Sequence, residues 1–184
     1  LVERNLLQER RSGTLVEYGL HAILRLFYYH EQLSAERRRL LHARAAAYYA
    51  DERTLQPLRA ALHYEAADDV EAAAGVTVTH LRTLFNRGHG REVRDLLARL
   101  QQRKLKASAA ELDLALAETC TLLGDSEAAH RQYAALLGQL QAEIQAGASG
   151  EAQQLLVQTY LGLGELTADQ DPHAAVEWLQ KGLA

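Results

Sequence analysis

Histidine, tyrosine and arginine, three residue types common in active sites, are concentrated between Leu20 and Tyr49. His21 stands at the start of a predicted helix in this segment. An imidazole there can donate a hydrogen bond to a phosphate, and the helix dipole favours the anion. His21 is therefore the candidate phosphate-contacting residue. The alternative is a histidine that packs under the β-hairpin predicted for the residues before it, with its ring nitrogens hydrogen-bonded within the protein.

The rest of the sequence offers little catalytic chemistry. It contains no P-loop motif, and its histidines form neither an HExxH motif nor a cluster with cysteine, so neither nucleoside triphosphate nor metal binding is predicted for this chain alone. Cys120 falls on an apolar helical stripe and is expected to lie in the core. The serines all lie at turns or helix starts, where capping explains them better than nucleophilic catalysis: Ser12, Ser34, Ser108, Ser126 and Ser149. We therefore expect a non-enzymatic chain without a cofactor of its own.

Charge is distributed unevenly along the chain. Residues 1–106 contain 18 Lys/Arg and 13 Asp/Glu, whereas residues 107–184 contain 2 Lys/Arg and 11 Asp/Glu. Such polarity can orient a partner or order neighbouring domains, although solvated helix faces of differing composition explain it equally well. The run Arg37–Arg39 could suggest nucleic-acid binding, but acidic residues such as Glu36 alternate with the arginines and the whole chain is acidic. A solvated face is the favoured interpretation.

The composition predicts an almost all-α chain, because alanine and leucine dominate and only two prolines occur. Two short alternating runs, Leu6–Arg10 and Thr14–Tyr18, predict a β-hairpin closed by Arg11–Gly13. The predicted helices are His21–His30, one after the N-cap Ser34 to Ala50, Leu55–Ala67, one after the N-cap Asp69 from Val70 to Arg87, Arg91–Lys104, one opened by the capping box Ser108–Glu111, Ser126–Gln145, Glu151–Thr167, and one begun by Asp171-Pro172. Gly75 and the β-branched run 76–79 are expected to kink or split the helix over Val70–Arg87.

Internal repeats of a helical hairpin are visible in the second half. Gly124–Tyr133 resembles the turn and second helix of a tetratricopeptide unit, and Asp171–Leu183 repeats the pattern after Tyr160, Leu163 and Gly164. The interval from Val93 to Ala129 is 36 residues and that from Ala129 to Ala175 is 46, against about 34 for a standard unit. The pattern predicts a divergent array, in which each hairpin needs its neighbours to bury its apolar face.

An ordered set of motif residues runs through the Leu20–Tyr49 segment: Leu20-His21-Ala22, Ile23–Phe27, Leu33–Arg39, His42, Ala45-Ala46 and Tyr48-Tyr49. This set resembles the winged-helix region of STAND-class signal-transduction ATPases. In that class the histidine faces the β-phosphate of bound ADP and holds the closed, inactive arrangement. The resemblance implies this role for His21, with ATP or ADP bound by the full-length protein outside this chain. Ala22 departs from the pattern, since an acidic residue is usual there.

The resemblance implies a mostly α fold, with the C-terminal part of a winged helix in residues 1–50 and a tetratricopeptide-like solenoid in residues 51–184. The repeats would bind a protein or peptide partner or a small-molecule inducer, and the winged helix would relay binding to the ATPase. The alternative is a winged-helix DNA-binding regulator with a helical effector or dimerisation domain. The absence of methionine suggests a fragment, and a single cysteine with no membrane-span-like run suggests a cytoplasmic protein.

Overall fold

The computed structural model describes residues 7–13, 15–103, 105, 109–147 and 150–183. In this part the chain is mostly helical, with one two-stranded sheet at the N-terminus. The strands are β1 Leu7–Ser12 and β2 Leu15–Leu20. The helices are α1 Ala22–Phe27, continued by a π-helical turn Tyr28–Gln32, then α2 Ala35–Ala50, α3 Pro57–Ala66, α4 Val70–Thr79, α5 Leu81–Asn86, α6 Gly90–Gln101, α7 Ala109–Leu122, α8 Ser126–Gln145, α9 Gly150–Thr167 and α10 Pro172–Leu183.

The predicted hairpin is present, but its turn lies further along the chain. The strands pair antiparallel from Leu7 opposite Leu20 to Ser12 opposite Leu15. The prediction that Arg11–Gly13 closes the turn was therefore wrong, because Arg11 and Ser12 belong to β1. Gly13 has a φ of +60°, a left-handed conformation that favours glycine, and this places the turn. Leu6 and Thr14, predicted as strand residues, lie outside the described residues.

Local signals fixed several helix starts. The Ser34 hydroxyl accepts a hydrogen bond from the Arg37 backbone N–H at 3.2 Å, and the Asp69 carboxylate caps Ala72 in the same way at 3.1 Å. Both predicted N-caps are confirmed. Pro172 begins α10, as predicted from the Asp171-Pro172 pair. Ser108, the cap predicted for α7, and Lys104, the predicted end of α6, lie outside the described residues.

Two predicted helices are divided. The helix predicted over His21–His30 leaves α-geometry after Phe27 and continues as the π-helical turn. The helix predicted over Val70–Arg87 breaks at His80, just after the β-branched run 76–79, which weakens a helix. The break lets Leu81 and Leu84 turn into the core, where they are 6% and 1% exposed.

The helices stack in chain order around one continuous apolar core. From α2 to α4 and from α6 to α10, each helix packs against the next, and α4 also contacts α7, which contacts α9. Of the predicted stripe, Leu112, Leu116 and Cys120 are buried and Leu123 is half-buried. Leu114 and Ala117, on the other sides of α7, are buried too. The stripe was too narrow a prediction, because α7 is surrounded by α4, α6, α8 and α9.

Close approaches at glycine set the spacing between the later helices. Tyr133 on α8 is 1% exposed, and its phenol rests against Gly162 on α9. Gly164 meets Leu179 and the backbone of Ala175 on α10. Because a Cβ at either glycine would collide with these neighbours, α8, α9 and α10 pack in one register. Among the described residues, no helix is both long and apolar enough to span a membrane.

Candidate functional site: a groove along the helical array

A groove runs along the face formed by α4, α5, α7 and α9. It consists of two adjoining cavities of about 350 and 460 Å³, which share the side chains of Leu81, Arg82, Glu118 and Gln158. The groove crosses α4, α7 and α9, of which α4 contacts α7 and α7 contacts α9. A ligand lying in it would therefore touch three helices at once.

Apolar side chains form much of the groove. Leu81 and Leu114 are buried at its base, and Phe85 is half-buried beside them. Leu122 and Leu161 also line it and are 52% and 39% exposed. Exposed leucines that line a concavity present apolar surface, which a bound ligand can remove from water.

Tyr133 closes the groove between α7 and α9. Burial raises the pKa of its phenol to about 12, against the smaller effect of a hydrogen bond with Thr121. The phenol therefore stays protonated at all physiological pH values. Its contact with Gly162 fixes the ring, so Tyr133 acts as a rigid part of the wall.

Carboxylates outnumber cations in the groove. Among the described residues that line it, Glu111, Glu118 and Glu165 are acidic and Arg82 is the one base. Burial raises the pKa of Glu118, an effect that Arg82 opposes and Glu165 reinforces. Within the described part of the chain, none of these four side chains has an oppositely charged partner within 4 Å. The groove therefore presents negative charge to its occupant.

A second polar cluster links the N-terminal unit, which we define as the described residues up to 50, to the helical array that follows it, α3 to α10. The Tyr29 hydroxyl lies 2.9 Å from His42 Nε2, and His42 Nδ1 lies 2.8 Å from His63 Nδ1. One imidazole must donate and the other accept across the Nδ1 pair. If Tyr29 donates to His42 Nε2, then His42 carries its proton on Nδ1 and donates to His63. This chain connects the π-helical turn, α2 and α3, and we call it the histidine joint.

The histidine joint favours neutral imidazoles. Burial lowers the pKa of His42, and burial together with His42 and Arg59 lowers the pKa of His63. Tyr49 stacks on the His63 ring with centroids 5.6 Å apart. Protonation of both rings would direct two N–H groups at each other, so the joint can exist intact only while at least one ring is neutral.

His21 lies apart from both clusters. Its side chain is exposed before α1 and, among the described residues, caps no backbone N–H of that helix. The interpretation of His21 as packed under the hairpin therefore does not describe this structure, whereas its phosphate-sensing role stays a prediction. Sequence reasoning missed the pairing of His42 with His63, since residues 21 positions apart meet only after α2 and α3 have packed.

The remaining candidates have structural contacts. Arg38 lies over the Tyr29 ring at 5.2 Å, and Arg39 reaches the Asp68 carboxylate at 3.9 Å. Cys120 is buried, as predicted, and burial raises the pKa of its thiol. Among the described residues, no group of three or more His, Cys, Asp or Glu side chains is placed to hold a metal ion.

No known protein family, no characterised protein and no solved structure matches this chain. The resemblance to STAND ATPases and to tetratricopeptide repeats therefore rests on the sequence motifs alone.

Proposed function

We propose that this chain is a non-enzymatic regulatory module of a STAND-type ATPase, in which the helical array binds a partner protein or peptide in the groove. The groove is the observation that supports this most strongly, since Leu122 and Leu161 expose apolar surface inside a concavity that spans several helices. Exposed apolar surface in a concavity is typical of a recognition site. A small-molecule inducer is the alternative occupant of the same groove.

The N-terminal unit supports the relay part of the proposal. Large apolar side chains on β2 and α1 are exposed, among them Tyr18 at 62% and Ile23 at 71%. A surface of this kind is typical of contact with another domain. In the proposed full-length protein that domain holds ADP or ATP, and exposed His21 would face the phosphate from this surface. That protein should then carry a P-loop N-terminal to Leu1.

The histidine joint offers a route for the signal. Tyr29 belongs to the N-terminal unit, whereas His63 belongs to the helical array, and His42 hydrogen-bonds to both. A partner that shifts α3 relative to α2 would change these distances and so the position of the π-helical turn.

Peptide selection tests the binding function directly. A random peptide library is selected on the wild-type chain, and retained peptides are measured against Leu122→Gln/Leu161→Gln. The matched control is Leu62→Gln/Val176→Gln, which changes two exposed apolar residues outside the groove. We expect the control to bind like wild type and the groove variant to lose binding.

Two results would contradict the proposal. One is a selection that yields no peptide sensitive to the groove variant. The other is tight, steeply salt-dependent binding of duplex DNA in a fluorescence anisotropy titration, which the DNA-binding regulator would show.

A further inference from the structure

The groove combines apolar surface with carboxylates in a way that the folded chain itself does not use. Glu118 lies on α7, Glu165 on α9, and both line the cavity that exposes Leu122 and Leu161. Among the described residues, neither carboxylate is joined to a cation within 4 Å or accepts a side-chain hydrogen bond. Glu118 is half-buried beside apolar surface, so its carboxylate loses hydration, which is unfavourable unless a partner supplies opposite charge. Glu165 is exposed and adds a second negative charge to the same cavity.

We propose that the groove binds a cationic amphipathic peptide segment of a partner protein, with apolar side chains against Leu122 and Leu161 and Lys or Arg side chains beside Glu118 and Glu165. This inference rests on the proposed function, because it concerns the same groove, and it adds the charge of the partner.

Charge complementarity selects this occupant. Three carboxylates and one guanidinium line the described part of the groove, so its own charge repels anions. The wall formed by α7 and α9 has the same sign, since residues 107–184 contain 2 Lys/Arg and 11 Asp/Glu, whereas the opposite wall contributes the base Arg82. A cleft with low-dielectric walls and one sign of charge concentrates ligands of the opposite sign. Nucleic acid and acidic peptides are therefore poor occupants.

The position of Glu118 adds a second argument. Burial and neighbouring Glu165 disfavour its charged form, and Arg82 compensates only in part. A ligand ammonium or guanidinium beside Glu118 would favour the carboxylate. Binding should therefore take up no proton at neutral pH and weaken in acid, as Glu118 becomes protonated.

The apolar part of the groove excludes simpler cations. Phe85, Leu122 and Leu161 contribute surface that a polyamine or a metal ion would leave wet. No group of three or more potential metal ligands occurs among the described residues. A segment that carries both apolar and basic side chains satisfies both features at once.

The experiment uses peptides retained in the selection described above. Each peptide is synthesised in three versions: the selected sequence, a Gln version in which every Lys and Arg is replaced by Gln, and a Glu version in which every Lys and Arg is replaced by Glu. Affinities are measured by calorimetry for wild type, for Glu118→Gln/Glu165→Gln, and for the matched control Glu127→Gln/Glu177→Gln, which removes two exposed carboxylates outside the groove.

We expect retained peptides to be rich in Lys and Arg. Replacement by Gln should weaken binding to wild type about tenfold, and replacement by Glu should weaken it further, since like charges repel across an interface. The groove variant should lose a similar factor of about ten for the basic peptide and little for its Gln version, whereas the control variant stays within about twofold of wild type.

The inference and the proposed function can fail separately. Retained peptides that need Leu122 and Leu161 but bind equally well as Gln versions would overturn the cationic partner and leave the groove as a binding site. Equal losses in the groove and control variants would overturn it too, because net charge rather than the groove would then decide affinity. A selection without groove-dependent peptides would overturn both.

Discussion

The contact between Tyr133 and Gly162 makes the packing of α8 on α9 open to a quantitative test. A Cβ placed on Gly162 would meet the Tyr133 hydroxyl and lie 2.6 Å from its ring carbon Cε1, well inside van der Waals contact. Tyr133 is 1% exposed, so its ring has little room to withdraw. Gly162→Ala should therefore force apart two helices that wall the groove.

Two opposing effects determine the size of the change. Adding atoms to a well-packed core costs about 1–3 kcal/mol of unfolding free energy. Alanine in place of glycine within a helix gains about 0.5–1 kcal/mol. Gly138 supplies the matched control, because it lies in the middle of α8 with no atom within 4 Å of the position its Cβ would take. Since both variants gain the helix contribution, Gly162→Ala should be less stable than Gly138→Ala by about 1–3 kcal/mol.

Urea denaturation followed by circular dichroism measures both variants. In thermal unfolding the same difference corresponds to about 2–4 °C per kcal/mol for a chain of this size. In a Tyr133→Leu background the penalty of Gly162→Ala should largely disappear, because the ring that causes the clash is gone. Equal stability of Gly162→Ala and Gly138→Ala in the wild-type background would refute the packing described here.

Three further changes follow from charged and titratable groups. Glu118→Gln should raise the melting temperature at neutral pH but not below about pH 4, because the raised pKa of Glu118 shows that its carboxylate form is unfavourable in the folded chain. An unchanged melting temperature at neutral pH would contradict this. The pKa values of His42 and His63 are lowered in the folded chain, so below about pH 6.5 the unfolded chain binds more protons than the folded chain. Folding stability should therefore be full above that pH and fall as pH decreases. Denaturation curves at several pH values should show a flatter pH dependence for His63→Phe, and an unaltered slope would count against the histidine joint. Arg99→Ala removes a bidentate ion pair with Glu65, at 2.8 and 2.9 Å, that joins α6 to α3. Because Arg99 is half-exposed and solvent screens the pair, the free energy of unfolding should fall by only about 0.2–1 kcal/mol. A fall of several kcal/mol in urea titration would contradict this.

Much of the fold could be predicted because its signals are local. Ser34 and Asp69 cap helices through backbone N–H groups three residues away, so the sequence alone predicts both starts. The turn of the hairpin was misplaced because Arg11 and Ser12, which were assigned to the loop, continue β1. Of the three residues assigned to the loop, only Gly13 adopts the left-handed conformation. The break at His80 follows the β-branched run 76–79, which the sequence marks as a place where the helix kinks or splits. The burial of Leu81 and Leu84 after the break is a tertiary effect.

The sites were less predictable than the elements. His21 was singled out from a motif, and the structure shows only that it is exposed. The groove required α4, α7 and α9 to come together, and no pattern within one helix marks Glu118 or Leu161 as neighbours. The pairing of His42 and His63 likewise follows from the packing of α2 on α3.

Methyl NMR tests the central claim, that the groove is the binding surface, most directly. The chain is labelled at leucine methyl groups and titrated with a retained basic peptide. Binding in the groove should shift the methyl signals of Leu122 and Leu161, which line it, and leave those of Leu62 and Leu183, which are exposed outside it, unchanged. Shifts at Leu62 or Leu183 with none at Leu122 and Leu161 would contradict it.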